Sequence, residues 1–380
     1  MEGALHCPGC SATLELDPRL YRCPECSGPL AYCGPPRSFP IDLIAARPAT
    51  MWRYAEALPA FAEPLSLGES VTPLVPLCVG PHTALAKCDF SLPSGSYKDR
   101  GAACLMSYFA EAGVGEAVED SSGNAGASLA AYAARAGVHL KVFCPRSAAA
   151  GKLAQIGLYG ADLVRVEGPR PRATEALHEY VAAAGSAYAS HLWQPMFLEG
   201  LRTMAYEIAE QLGWRSPDCV VCPVGAGSIL LGLHWGFADL VEAGCIERVP
   251  RLVAVQAAGV SAVVAAWDQG AETVTPTDAP QPTLAEGIAL PAPVRDRQVL
   301  EALRQSGGAA VAVSEVEIAD GVQRLGRAGF CVEPTSAVVW HGLQHYARAH
   351  PMAEDATIVL ILSGHGLKAA AQLADLLGSA

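Results

Sequence analysis

Lysine is scarce in this chain: only five of its 26 lysine and arginine side chains are lysine (Lys87, Lys98, Lys141, Lys152 and Lys368). Basic charge is short overall, and the formal net charge of −12 excludes general polyanion binding, which draws its affinity from basic side chains neutralising phosphates. No nucleic-acid partner is expected. Long apolar runs are absent too: no stretch of 18 uncharged apolar residues occurs, and Met1–Cys7 lacks a basic region leading into an apolar one. Neither a membrane span nor a secretory signal is therefore predicted, and the expected compartment is the cytoplasm. Charged residues make up only 17% against 51% hydrophobic, the composition of a globular chain. At 380 residues it can bury a large core and divide into two or more domains. Cysteine is not scarce. Thirteen thiols, an odd number scattered through apolar runs such as Cys219–Cys222, suit a reducing compartment and buried thiols rather than a disulfide framework.

The first 35 residues stand apart. Cys7-Pro8-Gly9-Cys10 and Cys23-Pro24-Glu25-Cys26 form C-x2-C-x12-C-x2-C, each pair followed by small residues suited to a knuckle turn. Four thiolates at this spacing can surround one Zn²⁺, and in so short a segment the metal would substitute for a core. Four incidental thiols are the alternative. Only Arg19 and Arg22 lie between the pairs, so the segment reads as a structural lid or docking knob rather than a nucleic-acid reader.

Residues 35–81 are proline-rich and read as an irregular arm. Beyond them, short apolar runs alternate with stretches of helical period. Strands are expected at 117–119, 138–144, 163–166, 219–224, 252–255, 311–313 and 357–362, and helices at 126–136, 174–184, 201–212 and 317–328. Such βα alternation predicts mostly parallel, twisted sheets with helices on both faces, binding ligands at the carboxyl ends of strands where the strand order reverses. Residues 267–293, rich in Pro, Thr and Asp, read as a surface excursion near that mouth.

Lys98 opens a helix behind Pro93-Ser94-Gly95-Ser96-Tyr97. On its own it reads either as a solvated helix-start lysine paired with Asp99 or as an amine placed for Schiff-base chemistry, for which arginine cannot serve. Three glycine-containing turns at strand ends accompany it. Ser121-Ser122-Gly123-Asn124 offers N–H groups and an amide, Gly225-Ala226-Gly227-Ser228 lets backbone approach a phosphate, and Ser363-Gly364-His365-Gly366 offers a hydroxyl. Each is weak singly. Together with Lys98 they describe a site for pyridoxal phosphate: a lysine for its aldehyde, a cradle for its phosphate, an amide for its phenolic oxygen and a hydroxyl for its ring nitrogen.

These motifs, with Leu284-Ala285-Glu286-Gly287, resemble in kind and order the fold-type-II pyridoxal phosphate enzymes: threonine synthase, serine/threonine dehydratases, cysteine synthase and the tryptophan synthase β subunit. The match is nearest threonine synthase and covers about residues 65 to 370; a ribbon-like N-terminal extension is also found among threonine-synthase-like sequences. The resemblance implies an α/β fold of two domains with an N-terminal zinc-ribbon-like module. Residues 1–35 would form that module, 36–105 and 205–380 a large cofactor-binding domain, and 106–204 a small mobile domain. It implies that Lys98 carries the cofactor as a Schiff base and then removes the substrate α-proton. Asn124 would bond the phenolic oxygen, the Gly225, Ala226, Gly227 and Ser228 backbones the phosphate, and Ser363 the ring nitrogen. Ser121, Ser122 and Gly123 would take the substrate α-carboxylate, while Cys7, Cys10, Cys23 and Cys26 would hold structural zinc. A homodimer is implied as well.

The chain departs from the family at Phe197, where threonine synthases carry an arginine that helps bind substrate phosphate. An apolar residue there suits a smaller or uncharged leaving group unless Arg202 or Lys152 compensates. His365 reads equally as an acid/base or as a shaper of its loop. His191, His234 and His341 read as satisfied core or interface histidines, and Glu199 and Glu207 as solvated or paired. The implied activity is that of a lyase removing Cα–H from a small L-amino acid and expelling a β- or γ-substituent. Threonine formation from O-phosphohomoserine leads, with a dehydratase or replacement enzyme as the alternative. A scaffold that has lost its chemistry is the reading from another class.

Overall fold

The computed structural model describes residues 1–148, 150–278 and 281–378, without the side chains of residues 150–152. Two compact units emerge, one from Met1–Ser70 with Lys98–Thr203 and the other from Val71–Tyr97 with Met204–Ala380. Residues 36–70 and 98–105, assigned from sequence to the large domain, cluster with the first unit. The reason is local: the helix Lys98–Glu111 packs on the helices Asn124–Ala136 and Pro195–Leu201 of that unit. Among the described residues no helix is long and apolar enough to cross a membrane.

The first unit begins with a three-stranded antiparallel sheet in which Ala4–His6 lies between Thr13–Leu14 and Ala31–Cys33. Its core is small: Leu5, Cys7, Cys23 and Leu30. The two cysteine knuckles repeat one turn, with Ser11 N–H donating to Cys7 O and Ser27 N–H to Cys23 O. Both serines take left-handed backbone, φ 62° and 60°. The larger sheet of the unit is parallel, in the order Asp162–Val166, His139–Pro145, Glu116–Glu119, Ala187–Tyr188. Its order reverses between the last two strands, whose carboxyl ends lead into loops 120–123 and 189–194.

The second unit is built on six strands in the order Ala309–Val313, Arg251–Ala257, Cys219–Pro223, Ile358–Ile361, His82–Lys87, Leu74–Val79. All pairs are parallel except the terminal hairpin. The inner strands are wholly buried, which is why they read as unbroken apolar runs, and each buried valine or leucine contributes about 1.5–3 kcal/mol. Here the order reverses between Cys219–Pro223 and Ile358–Ile361, so the turns 224–227 and 362–365 leave from the switch point.

Two sequence expectations need correction. The supposed arm contains short helical segments at Ile41–Ala46 and Met51–Ala57 and the edge strand Leu74–Val79, in register Pro76↔Leu85. Proline disguised that strand, but an edge tolerates a missing donor. The helix expected from Leu201 starts at Pro195, where proline at the first turn loses no hydrogen bond, and breaks at Arg202 before Thr203–Gln211.

Candidate active site

At the switch point of the second unit the backbone, rather than charge, makes the site. Gly227 has φ +80°, and a Cβ on it would stand 2.3 Å from Val299 Cγ2; one on Gly225 would stand 2.7 Å from Ile288 Cα. Only glycine lets this turn lie so close to its neighbours while its N–H groups open the helix Ser228–Glu242, an arrangement that fits a phosphate. Tyr97 and Ser228 hydroxyls lie 3.0 Å apart. Ser363 is buried, and its hydroxyl lies 3.0 Å from that of Ser336. Ser336 Oγ accepts the N–H groups of Ser363 (3.0 Å) and Gly364 (2.9 Å). With both lone pairs engaged, Ser336 can only donate, which leaves the Ser363 proton to point elsewhere, as a ring nitrogen requires. The segment before Lys98 is stitched to the same loop: Tyr97 N–H donates to Ser363 O, His365 N–H to Gly95 O, and Lys368 Nζ to Ser94 O. His365 Nδ1 accepts from Leu367 N–H at 3.1 Å, which favours its role as loop shaper.

In the first unit Lys98 is 9% exposed, which removes the solvated reading, and Asp99 is buried and accepts from Ser128 Oγ at 2.6 Å. The unit also brings Ser121, Ser122, Gly123 and Asn124 together in one tight turn. A Cβ on Gly126 would overlap Ser121 O at 1.9 Å, and Asn124 is the first residue of the helix. Phe197 is wholly buried. Its ring lies 5.8 Å from Lys98 Nζ and fills the space over Gly101, where a Cβ would meet it at 2.5 Å. Phe197 therefore bears on the site by supporting the first turn of the Lys98 helix. Arg202 is tied to Glu199 at 3.2 Å, as is Arg37 at 2.5 Å, so it behaves as a structural cation. The Lys152 side chain lies outside the described residues.

A pair that the sequence did not suggest lies beside Phe197. His191, edge-on to that ring at 6.2 Å, has Nδ1 2.8 Å from Glu119 Oε1, and the other oxygen of this fully buried carboxyl has no partner among the described residues. Burial, with Asp120 adding to it, pushes the Glu119 carboxyl well above the ordinary range. Burial and then the charges of Lys98 and Arg170 hold His191 well below its own. The pair is neutral rather than ionic, because both causes act against charge. His191 is thus a satisfied buried histidine, as expected.

The thiols of Cys7, Cys10, Cys23 and Cys26 lie within 4.8 Å of one another, with Cys7–Cys26 at 3.4 Å and Cys10–Cys23 at 3.6 Å. Four sulfurs bound tetrahedrally at ~2.3 Å would be about 3.8 Å apart, so the cluster is compatible with zinc. The Cys219/Cys222 pair is different: both thiols are buried in a strand, and burial pushes Cys219 up to about 12 and Cys222 higher, which leaves them inert.

With this geometry in place, comparison with known proteins is informative. The family model described as pyridoxal-phosphate dependent enzyme matches residues 65–364. Threonine synthase of Methanosarcina acetivorans is 33% identical over 373 residues, covering 96% of this chain and 92% of the relative. Threonine synthase of Methanocaldococcus jannaschii is 35% identical over 376 residues, covering 95% and 92%. The processed form of threonine deaminase isoform 2 from Solanum lycopersicum shares the fold, with a TM-score of 0.69 at 20% identity and 91% of each chain covered. Lys98, the glycine turns and the buried Ser363 all lie within the matched residues, and the chain belongs to the fold-type-II pyridoxal-phosphate-dependent enzymes, as a lyase.

Proposed function

We propose that this lyase carries out elimination with replacement on O-phosphohomoserine, taking up water to give threonine and phosphate. The observation that carries the proposal is the 33% and 35% identity to two threonine synthases over nearly the whole chain. Pyridoxal phosphate, when bound, supplies an electron sink that makes the substrate α-proton removable. Lys98 then accepts that proton at Nζ, close to the apolar Phe197 ring, which excludes water from the amine. Asn124 orients the phenolic oxygen, the N–H groups of Gly225, Ala226, Gly227 and Ser228 hold the phosphate, and Ser363 donates to the ring nitrogen. The turn Ser121, Ser122 and Gly123 receives the substrate carboxylate, and Cys7, Cys10, Cys23 and Cys26 hold a structural Zn²⁺. The working form is a cytoplasmic homodimer.

Phe197 favours a second reading, a dehydratase or replacement enzyme with an uncharged leaving group. The first reading needs another cation, and Arg170 is suitably placed. It is exposed and opens the helix Arg170–Ala184 one turn before Thr174, whose hydroxyl donates to Asp120 Oδ2 at 2.6 Å. The test is to incubate the purified holoenzyme with O-phosphohomoserine, L-threonine, L-serine, O-acetylserine and O-phosphoserine, assaying phosphate, threonine and 2-oxo acid. Threonine and phosphate from O-phosphohomoserine are expected, with KM raised about tenfold by Arg170→Ala. A 2-oxo acid from another amino acid, with O-phosphohomoserine untouched, would transfer the assignment to the second reading. Lys98→Ala should abolish turnover and the cofactor's visible absorbance band, whereas a wild-type protein without either would be a scaffold.

A further inference from the structure

The segment between the two cysteine pairs is not a free surface. Pro18 O accepts from Gln194 Nε2 at 3.1 Å, and Arg19 Nε donates to Gly185 O at 3.0 Å. The Tyr21 ring stacks on His178 (6.0 Å) and meets Tyr188 (5.2 Å) and Trp193 (6.3 Å) edge-on. Two of these partners lead directly to the loops of the switch point in the same unit. Tyr188 donates its hydroxyl to Asp120 Oδ1 at 2.8 Å, and Asp120 immediately precedes Ser121. Gln194 also donates to Tyr188 O at 2.9 Å and immediately precedes the helix that carries Phe197. Loops 120–123 and 189–194 are therefore both braced by residues 18–21.

We propose that the four-cysteine module is a clamp on the substrate loop, in which Pro18 and Tyr21 act as positioning residues. Through Gln194 and Tyr188 they fix the geometry of residues 120–123 that receives an amino-acid α-carboxylate; this rests on the reading of 121–123 given above. The module's own core is four buried side chains with Ala12, Leu14, Leu16 and Leu20 only partly buried against it, too little to hold residues 1–35 rigid unaided, so a metal on the thiols sets the stiffness of the clamp. Opening the clamp leaves Lys98 and the glycine cradle in place, so the deficit falls on substrate binding rather than on chemistry.

The test is hydrogen exchange of the backbone amides of residues 119–126 in full-length holoenzyme, with kinetics on O-phosphohomoserine and L-serine alongside. Tyr21→Ala should retain its zinc and its cofactor absorbance while these amides exchange about tenfold faster. KM should rise about tenfold, with kcat changed by less than about threefold. Tyr21→Phe keeps the ring contacts and should behave as wild type. Removing zinc with 1,10-phenanthroline should reproduce the faster exchange, and adding zinc back should reverse it. Should Tyr21→Ala fail to fold, Gln194→Ala with the chelator experiment decides instead. Unchanged exchange in both the variant and the zinc-stripped protein overturns the clamp. If Ser122→Ala raises KM and Tyr21→Ala moves neither KM nor exchange, the carboxylate reading survives and the clamp falls. If exchange quickens but neither variant moves KM, the carboxylate reading fails and the proposal falls with it. The exchange readout stands even where neither amino acid is turned over.

Discussion

The two sheets end in two switch points of opposite character. In the second unit, the turns 224–227 and 362–365 present glycine backbone and serine hydroxyls, and the buried cation on the neighbouring strand His82–Lys87 is fully satisfied. Lys87 Nζ is completely buried and spends its three protons on Glu207 Oε2 (2.6 Å), Thr72 O (2.9 Å) and Gln211 Oε1 (2.9 Å). In the first unit, the strand that leads to loop 120–123 ends on Glu119, a buried carboxyl with one oxygen that has no partner among the described residues. A neutral, pre-shaped cradle can hold a ligand that stays put. An incompletely satisfied pair is costly to bury and persists where the surroundings over-determine it. The contrast is between a region built for holding and a region whose proton inventory can change.

The largest effect is expected from breaking the satisfied side. Lys87→Met leaves Glu207 buried without its cation and should cost about 3–5 kcal/mol in urea denaturation, whereas Lys87→Met with Glu207→Leu should recover most of the loss. A single variant as stable as the parent would mean that water reaches this pair. Next comes the cradle. Gly227→Ala forces a Cβ at φ +80° and against Val299, for a loss of about 2 kcal/mol and about tenfold faster loss of cofactor absorbance on dialysis. Adding Val299→Ala removes the clash but not the backbone strain, so it should restore only part.

How much of this was legible in the sequence depends on whether a feature is local. Every apolar run read as a strand overlaps a strand, and Lys98, Asn124 and Ser363 stand at the element ends where their neighbours in sequence put them. Those signals are a strand's periodicity and a glycine turn, both contained within ten residues. The hairpin strand Leu74–Val79 escaped because Pro76 counts against a strand wherever the edge of the sheet is unknown. Ser336, Tyr97 and the Glu119–His191 pair escaped for a different reason. Their partners lie 27, 131 and 72 residues away, and a serine, a tyrosine or a histidine carries no mark of which distant group it will meet. The cysteine pairs were legible as a cluster, but the bracing of loops 120–123 and 189–194 by Pro18 and Tyr21 is visible only in three dimensions.

The smallest effect at any one step of pH, and the most discriminating, belongs to Glu119. Burial raises its folded-state pKa above the unfolded value, so the stability it contributes is complete below about pH 4.3 and declines as pH rises through the folded value. Glu119→Gln keeps an acceptor for His191 Nδ1–H and cannot ionise. The variant should therefore match the parent near pH 4 and outlast it progressively as pH rises, by at most about 1.4 kcal/mol per pH unit. Denaturation curves at several pH values between 4 and 9 measure this directly. A gap that narrows or reverses on going alkaline would mean that Glu119 is ionised, held by Lys98 and a protonated His191. The first unit's switch point would then be a satisfied ion pair like Lys87–Glu207, and the contrast between the two regions would disappear.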